Sequence, residues 1–212
     1  MRRCFAIFLL ILFSSVNSWA KTEKFGTWIE LDFTKKFLKK FELSVIPEIR
    51  LQDDFTVDEY IFEGKLSYDP WKFLGFATSY RYSTNVKKNG NEMSQYLVLD
   101  ATGKTEFDRF DGSLRLRFTN DSDGGELQWE AFYLRPRVKL GYNIRNWKTD
   151  PYISYEIYYD LQHNEFYKNR FDIGVNRKIG KLHEVGVYYR LQDYFEDKSP
   201  VNILGLNYCL KF

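Results

Sequence analysis

The sequence predicts an all-β protein, an antiparallel up-and-down β-barrel of ten to twelve transmembrane strands with no significant helix after a signal peptide. Three observations predict this fold class: an export signal at the amino terminus, a series of segments in which apolar and polar residues alternate, and a final strand that ends on an aromatic residue. Successive side chains of a β-strand point to opposite faces, so alternation with a period of two indicates a strand with one apolar and one polar face.

The first twenty residues have the composition of a cleaved signal peptide. Two arginines follow the first methionine, an apolar run covers 5–13, and residues 18–20 place small side chains at positions −3 and −1 of a cleavage site. The apolar run is too short to cross a bilayer as a helix, which takes about twenty residues. We therefore expect export, cleavage near Ala20, and a single barrel domain over 21–212.

Composition favours a membrane barrel over a soluble core. Aromatic residues make up 19% and charged residues 28% of the chain, and the mean hydropathy is −0.47. A lipid-facing barrel wall uses aromatic belts around a polar interior. The formal net charge of +2 gives no reason to expect a nucleic-acid partner, and no metal or cofactor motif is present. Cys209 is the only cysteine after the signal, so an intramolecular disulfide is excluded.

The strands are predicted from segments of alternating character, most of them about ten to twelve residues long, near the nine to eleven that a tilted strand needs to cross a bilayer. Gly, Pro, Asn and Asp fall between them, as expected for turns. Pro47 and Pro136 lie inside segments, where a ladder N–H is lost, and indicate bulges or membrane rims. The predicted segments are 25–34, 41–52, 58–68, 72–83, 94–105, 110–119, 129–143, 151–161, 168–178, 183–193 and 202–212.

Short and long connections alternate along the chain, as in outer-membrane barrels with short periplasmic turns and longer extracellular loops. This alternation places Phe212 at the periplasmic end. Bacterial single-chain barrels have an even number of strands and both termini in the periplasm. We therefore expect ten or twelve strands: either 25–34 is not a wall strand, or a further strand lies hidden near 129–143.

The two faces of the segments differ in charge. One face is apolar, as in Leu43, Val45, Phe62, Val138 and Ile173, and the other carries almost all the charges. Because an Arg or Lys at the lipid-facing midplane costs about 2–4 kcal/mol, the charged face is expected to point into a lumen. The predicted lumen charge network is Glu48, Arg50, Glu63, Arg81, Arg115, Arg117, Arg135, Arg137, Glu156, Arg170, Asp172, Glu184 and Arg190.

This network has two interpretations. The preferred one is a structural, interlocked set of ion pairs that fills a narrow interior. The alternative is a small-solute channel or ligand site in which Arg115, Arg117, Arg135 and Arg137 attract anions.

Several stretches resemble the domain-of-unknown-function 2490 family of bacterial exported proteins. They are Trp28, Phe-Glu-Leu-Ser at 41–44 and Glu-Ile-Arg at 48–50, followed by Arg-Pro-Arg-Val-Lys-Leu-Gly-Tyr-Asn-Ile at 135–144, Asp-Pro-Tyr-Ile-Ser-Tyr-Glu-Ile-Tyr-Tyr at 150–159, Asn-Arg-Phe-Asp-Ile-Gly-Val-Asn at 169–176 and Val-Gly-Val-Tyr-Tyr-Arg-Leu-Gln at 185–192. The resemblance implies an outer-membrane β-barrel of a Gram-negative bacterium. It implies no established activity, no cofactor and no catalytic residue.

The expected partners follow from this interpretation. They are outer-membrane lipid and the outer-membrane assembly machinery, with the protein itself a monomer. The last strand, with Tyr208, Leu210 and Phe212 on one face, resembles the signal that this machinery reads in barrels of this kind.

Two other classes of protein stay open at this point. An exported soluble β-barrel or sandwich that binds a ligand also has strands of period two, with the apolar face turned inward. A hydrolase at the outer rim is the second alternative, because His163 follows closely after Asp160 in a predicted outer loop.

Overall fold

The residues that the structure describes form a closed barrel of eleven β-strands. The computed structural model describes residues 24–120, 132–145, 147–196 and 198–212. Within these residues no helix is long and apolar enough to span a membrane. The strands are β1 Lys24–Leu38, β2 Phe41–Leu51, β3 Val57–Trp71, β4 Leu74–Asn85, β5 Glu92–Phe107, β6 Phe110–Asn120, β7 Phe132–Tyr142, β8 Thr149–Asp160, β9 Glu165–Ile179, β10 His183–Tyr194 and β11 Val201–Lys211.

Each of the eleven predicted segments corresponds to one of these strands, and consecutive strands pair antiparallel. The prediction of an all-β barrel with ten to twelve strands is confirmed. The segment near 129–143 contributes one strand among the described residues, β7. The connection between the segments predicted at 151–161 and 168–178 is shorter than expected, because β8 ends at Asp160 and β9 begins at Glu165.

The expectation of an even strand number and of wholly antiparallel pairing is wrong. The first segment is a wall strand, and β1 pairs parallel with β11 from Lys24 opposite Val201 to Thr34 opposite Lys211 without a register shift. In an up-and-down barrel with an odd number of strands, the first and last strands run in the same direction, so closure requires one parallel pair.

This closure places the two described ends of the wall, Lys24 and Lys211, at opposite ends of the barrel, whereas the expected even strand number would place them at the same end. We call the end where β2–β3, β4–β5, β8–β9 and β10–β11 are connected the loop end. The opposite end, where β1–β2, β3–β4, β5–β6, β7–β8 and β9–β10 are connected, is the turn end. Lys24 lies at the loop end, where its N–H donates to the Pro200 carbonyl at 3.2 Å, whereas Phe212 lies at the turn end.

The barrel is apolar outside and charged inside. Phe62, Val138 and Ile173 are each more than half exposed on the outer face, whereas Glu63, Glu156 and Asp172 are at most 5% exposed. A soluble barrel would have the opposite arrangement, with the apolar face inside. The face assignment made from the alternation therefore has the correct sense.

The two prolines interrupt a ladder without forming a bulge. Beside Pro47, the β1–β2 pairing stops after Glu30–Glu48 and resumes at Phe33–Val45 in the same register. Beside Pro136, the β7–β8 pairing is likewise interrupted in unchanged register. Proline has no N–H to donate to a carbonyl of the neighbouring strand, so pairing is lost only beside each proline. The register is unchanged on both sides of the gap.

Candidate functional site

The candidate site is a polar cavity inside the barrel, which we call the central cavity. Its volume is about 260 Å³. Ten basic side chains line it, namely Arg50, Lys65, Arg81, Arg115, Arg117, Arg135, Arg137, Lys139, Arg170 and Arg190. Six acidic side chains do so as well, namely Glu30, Asp32, Glu48, Glu63, Glu156 and Asp172. The excess of basic groups makes the cavity electropositive.

Strand pairing concentrates arginines on one wall. In the β6–β7 register, Arg115 lies opposite Arg137, and Arg117 lies opposite Arg135. Like charges directly opposite each other destabilise a sheet, so these arginines need carboxylate partners from other strands. Arg117 has one on β5, where its Nε and Nη2 each donate to Asp100 at 2.7 Å.

Glu156 on β8 is shared by three arginines. Its Oε1 accepts hydrogen bonds from Arg115 Nη2 at 2.5 Å and from Arg135 Nη2 at 3.3 Å. Its Oε2 lies 3.9 Å from Arg170 Nη1. Because Glu156 is almost fully buried, removing it would leave these guanidinium groups without a carboxylate in a region of low dielectric constant.

The rest of the wall is occupied by separate ion pairs. Arg81 Nη2 donates to Glu63 at 2.5 Å, and Arg50 bridges Glu48 at 2.6 Å and Glu59 at 2.5 Å. Arg190 binds Asp172 through two hydrogen bonds of 2.6 and 2.9 Å, and Ser154 Oγ donates to the same carboxylate at 3.1 Å. Two parallel N–H···O bonds fix the plane of the Arg190 guanidinium, so this side chain is held rigidly.

Twelve of the thirteen residues predicted for the lumen network line the central cavity. Glu184 does not, because it lies on the same face of β10 nearer the turn end, in a separate cavity. Arg137 lines the central cavity, yet it forms no ion pair within the described part of the chain.

Aromatic side chains complete the site and were not predicted as part of it. The ring of Trp28 lies 3.8 Å from the Arg50 guanidinium carbon, 5.0 Å from that of Arg190 and 5.2 Å from that of Arg170. Tyr158, which lines an adjoining cavity, is approached in the same way by Arg135 at 4.1 Å. Such contacts between a cation and an aromatic ring are attractive. The signal in the sequence was parity, because Trp28 alternates with Glu30 and Asp32 on β1.

Further cavities lie on either side of the central one. A cavity of about 540 Å³ at the loop end shares Trp28, Arg50 and Arg170 with it. A cavity of about 620 Å³ at the turn end shares Lys139 and Tyr152 with it, among others. The interior is therefore a row of polar cavities along the barrel, separated by layers of ion-paired and aromatic side chains.

The residues considered for a rim hydrolase form a turn. Asp160 Oδ1 accepts the N–H groups of Gln162 at 2.8 Å and His163 at 3.1 Å, and Oδ2 lies 3.0 Å from His163 Nδ1. This hydrogen bond raises the pKa of His163 above its ordinary value. Among the hydrogen bonds of the described residues, none joins His163 to a serine or cysteine. The contacts of Asp160 are those of an aspartate that stabilises a tight turn.

The protein belongs to the class of closed β-barrels that have an apolar outer face and an interior of ion pairs. The family model described as "Protein of unknown function (DUF2490)" matches residues 25–201. The chain therefore belongs to this family, as its sequence resemblance indicated. No curated protein matches the chain.

Proposed function

We propose that this protein is an outer-membrane β-barrel whose lumen is charged and largely filled. The observation that supports this proposal is the polarity of the barrel, with large apolar side chains exposed outside and carboxylates buried inside. Exposed apolar surface of this extent needs a cover, and a bilayer supplies one. A closed barrel also satisfies its own backbone hydrogen bonds, which a membrane-spanning structure must do.

Cell fractionation tests this proposal. The full-length protein, produced in a Gram-negative host, is expected in the outer-membrane fraction and resistant to extraction by urea or carbonate. Unboiled samples are expected to migrate differently from boiled samples on a detergent gel, because a closed barrel resists unfolding. Recovery in the soluble periplasmic fraction would contradict the proposal and favour the exported soluble barrel.

A narrow path for small solutes is the second candidate function. The observation that favours it is that neighbouring cavities share lining residues from the loop end to the turn end. Since basic groups outnumber acidic ones in the central cavity, conduction through this path is expected to prefer anions.

Planar bilayer recordings test the second candidate. The wild-type protein is expected to show small, anion-preferring conductance, and combined Arg115→Glu and Arg135→Glu substitution is expected to reduce or reverse the preference. Lys88→Glu, in the exposed β4–β5 loop, is a single charge reversal outside the cavities and should leave selectivity near the wild-type value; it is compared with Arg115→Glu alone. No conductance above background would remove the channel and leave the filled barrel.

A further inference from the structure

We propose that the central cavity is a binding site for a small oxyanion of the phosphate or sulfate type, held against β7 by Arg137 and Lys139. This inference rests on the proposed charged lumen and specifies what that lumen binds. Arg137 and Lys139 are inward-facing neighbours on β7, and both line the central cavity.

The first argument is a local shortage of carboxylates. Five basic side chains, Arg115, Arg135, Arg137, Lys139 and Arg170, are grouped on β6 to β9. Glu156 is the single carboxylate that pairs with any of them within the described residues. The strands already hold these basic side chains close together, so a bound anion would meet a preorganised site.

The second argument comes from the individual donors. Arg137 lies opposite Arg115 on one side and opposite Glu156 on the other, yet it forms no ion pair among the described residues. Lys139 contacts the Tyr152 ring at 3.8 Å but likewise has no carboxylate partner in the described chain. In addition, the Nε atoms of Arg115 and Arg135 are buried and have no hydrogen-bond acceptor among the described residues. Buried donors without acceptors are costly, and an oxyanion supplies both charge and acceptors.

The size of the cavity and the side chains on the wall opposite β7 define the chemical class of the ligand. A volume of about 260 Å³ exceeds what a single water needs and lies just below the range of about 300–1,000 Å³ for drug-sized ligands. Glu30 and Asp32 line the same cavity from β1, which lies five strands away from β7 in one direction and six in the other. These carboxylates repel any ligand with negative charge at both ends. A compact oxyanion, charged over a few atoms, satisfies both constraints.

Calorimetric titration with inorganic phosphate tests the site, using the full chain folded in detergent at low ionic strength. Wild-type protein is expected to bind one phosphate per chain. Combined Arg137→Gln and Lys139→Gln substitution is expected to weaken binding at least about tenfold, because hydrogen bonds to charged groups are lost. Lys65→Gln removes one charge from the β3 side of the same cavity and is expected to weaken binding less than about threefold.

Arg137→Gln alone is compared directly with Lys65→Gln, since each removes one charge. Equal losses would show diffuse attraction rather than a site on β7 and would overturn the inference, as would no phosphate binding by the wild-type protein. Heat-dependent gel migration of each variant establishes that it is folded before titration.

Glu156→Gln provides a test in the opposite direction. Because Glu156 occupies Arg115 and Arg135, neutralising it frees donors for the anion. Phosphate is expected to bind this variant more tightly and to raise its Tm more than that of the wild type. Unchanged affinity would show that phosphate and Glu156 do not share these arginines, and the site as placed would be wrong. These measurements use folded protein in detergent, so their failure is distinguishable from failure of the fractionation experiment, which tests membrane residence.

Discussion

At the scale of single residues, Glu156 is a buried carboxylate on which three arginines converge. The three arginines around it come from β6, β7 and β9, so one carboxylate links three strands besides its own. Removing one partner of a buried pair is strongly destabilising, because the remaining charge keeps its desolvation cost. The stability of this part of the barrel therefore depends on a buried carboxylate and the three guanidinium groups that it pairs with.

Glu156→Gln is predicted to lower the free energy of unfolding by about 3–5 kcal/mol. Equilibrium urea unfolding in lipid vesicles is the measurement. Glu92→Gln is the matched control, because Glu92 pairs with Lys87 at 2.5 Å with both side chains about half exposed, and exposed pairs contribute about 0–1 kcal/mol. Equal effects of the two substitutions would show that the pairing of Glu156 with the three arginines does not stabilise the barrel.

Parity was sufficient to assign inward residues but not their partners. Alternation along each strand put Arg115 and Glu156 on the same side of the wall. Their hydrogen bond joins residues 41 positions apart on strands that are not adjacent in the sheet. Such contacts depend on the curvature of the wall, which the pattern within a single strand does not encode.

At the scale of elements, β9, β10 and β11 meet around one inward tyrosine. Tyr188 on β10 pairs with Gly205 on β11 and with Gly174 on β9. A Cβ built on Gly205 would overlap the Tyr188 ring at Cζ, Cε1 and Cε2. The glycine is therefore required by the close approach of the ring, which packs over the backbone of the neighbouring strand.

Gly205→Ala is predicted to destabilise the barrel by about 1–3 kcal/mol, because overpacking forces the Tyr188 ring to move. Gly64→Ala is the control, since a Cβ on Gly64 meets nothing within 4 Å. The Tm of each variant is measured from thermal unfolding, which is monitored by heat-dependent gel migration. A Tm for Gly205→Ala equal to that of the control would refute the packing argument.

The final strand ends in a well-defined position. The Phe212 N–H donates to the Thr34 carbonyl at 2.9 Å, and the Phe212 carbonyl accepts from Lys36 N–H at 3.3 Å. Its side chain is exposed and continues the outward face of Leu204 and Leu206. The backbone of this residue thus closes the parallel seam, while its ring is exposed and lies 5.8 Å from the Lys35 ammonium.

Phe212→Ala is predicted to reduce the amount of folded, membrane-inserted protein several-fold while leaving the backbone contacts of the seam in place. The intensity of the heat-shifted band in outer-membrane fractions measures the amount of folded, inserted protein. Phe73→Ala, which removes another exposed aromatic side chain at the turn end, serves as the control. Normal assembly of Phe212→Ala would make Phe212 an ordinary outward-facing residue.

At the scale of the whole molecule, the parallel seam sets the topology. Because β1 and β11 run in the same direction, the start of the wall lies at the loop end and its end lies at the turn end. If the loop end faces the outside of the cell, as the proposed outer-membrane orientation requires, Lys24 is at the cell surface and Phe212 faces the periplasm.

Cysteine labelling on intact cells tests this topology in a Cys209→Ser background. Lys24→Cys and Lys88→Cys, both at the loop end, are predicted to react with a membrane-impermeant maleimide. Lys72→Cys, at the turn end, is predicted to react only after the outer membrane is permeabilised. Labelling of Lys24→Cys together with Lys72→Cys would contradict the parallel closure.

The sequence by itself determined the number of segments, their approximate bounds and the side of each strand that carries charge. These features are local, because the direction of a side chain alternates at every residue of a strand. Only the tertiary structure decided the parallel pairing of β1 with β11, the opposite positions of the two wall ends and the sharing of Glu156 by three arginines. Each of these depends on how the sheet closes on itself, which brings together residues that are distant along the chain.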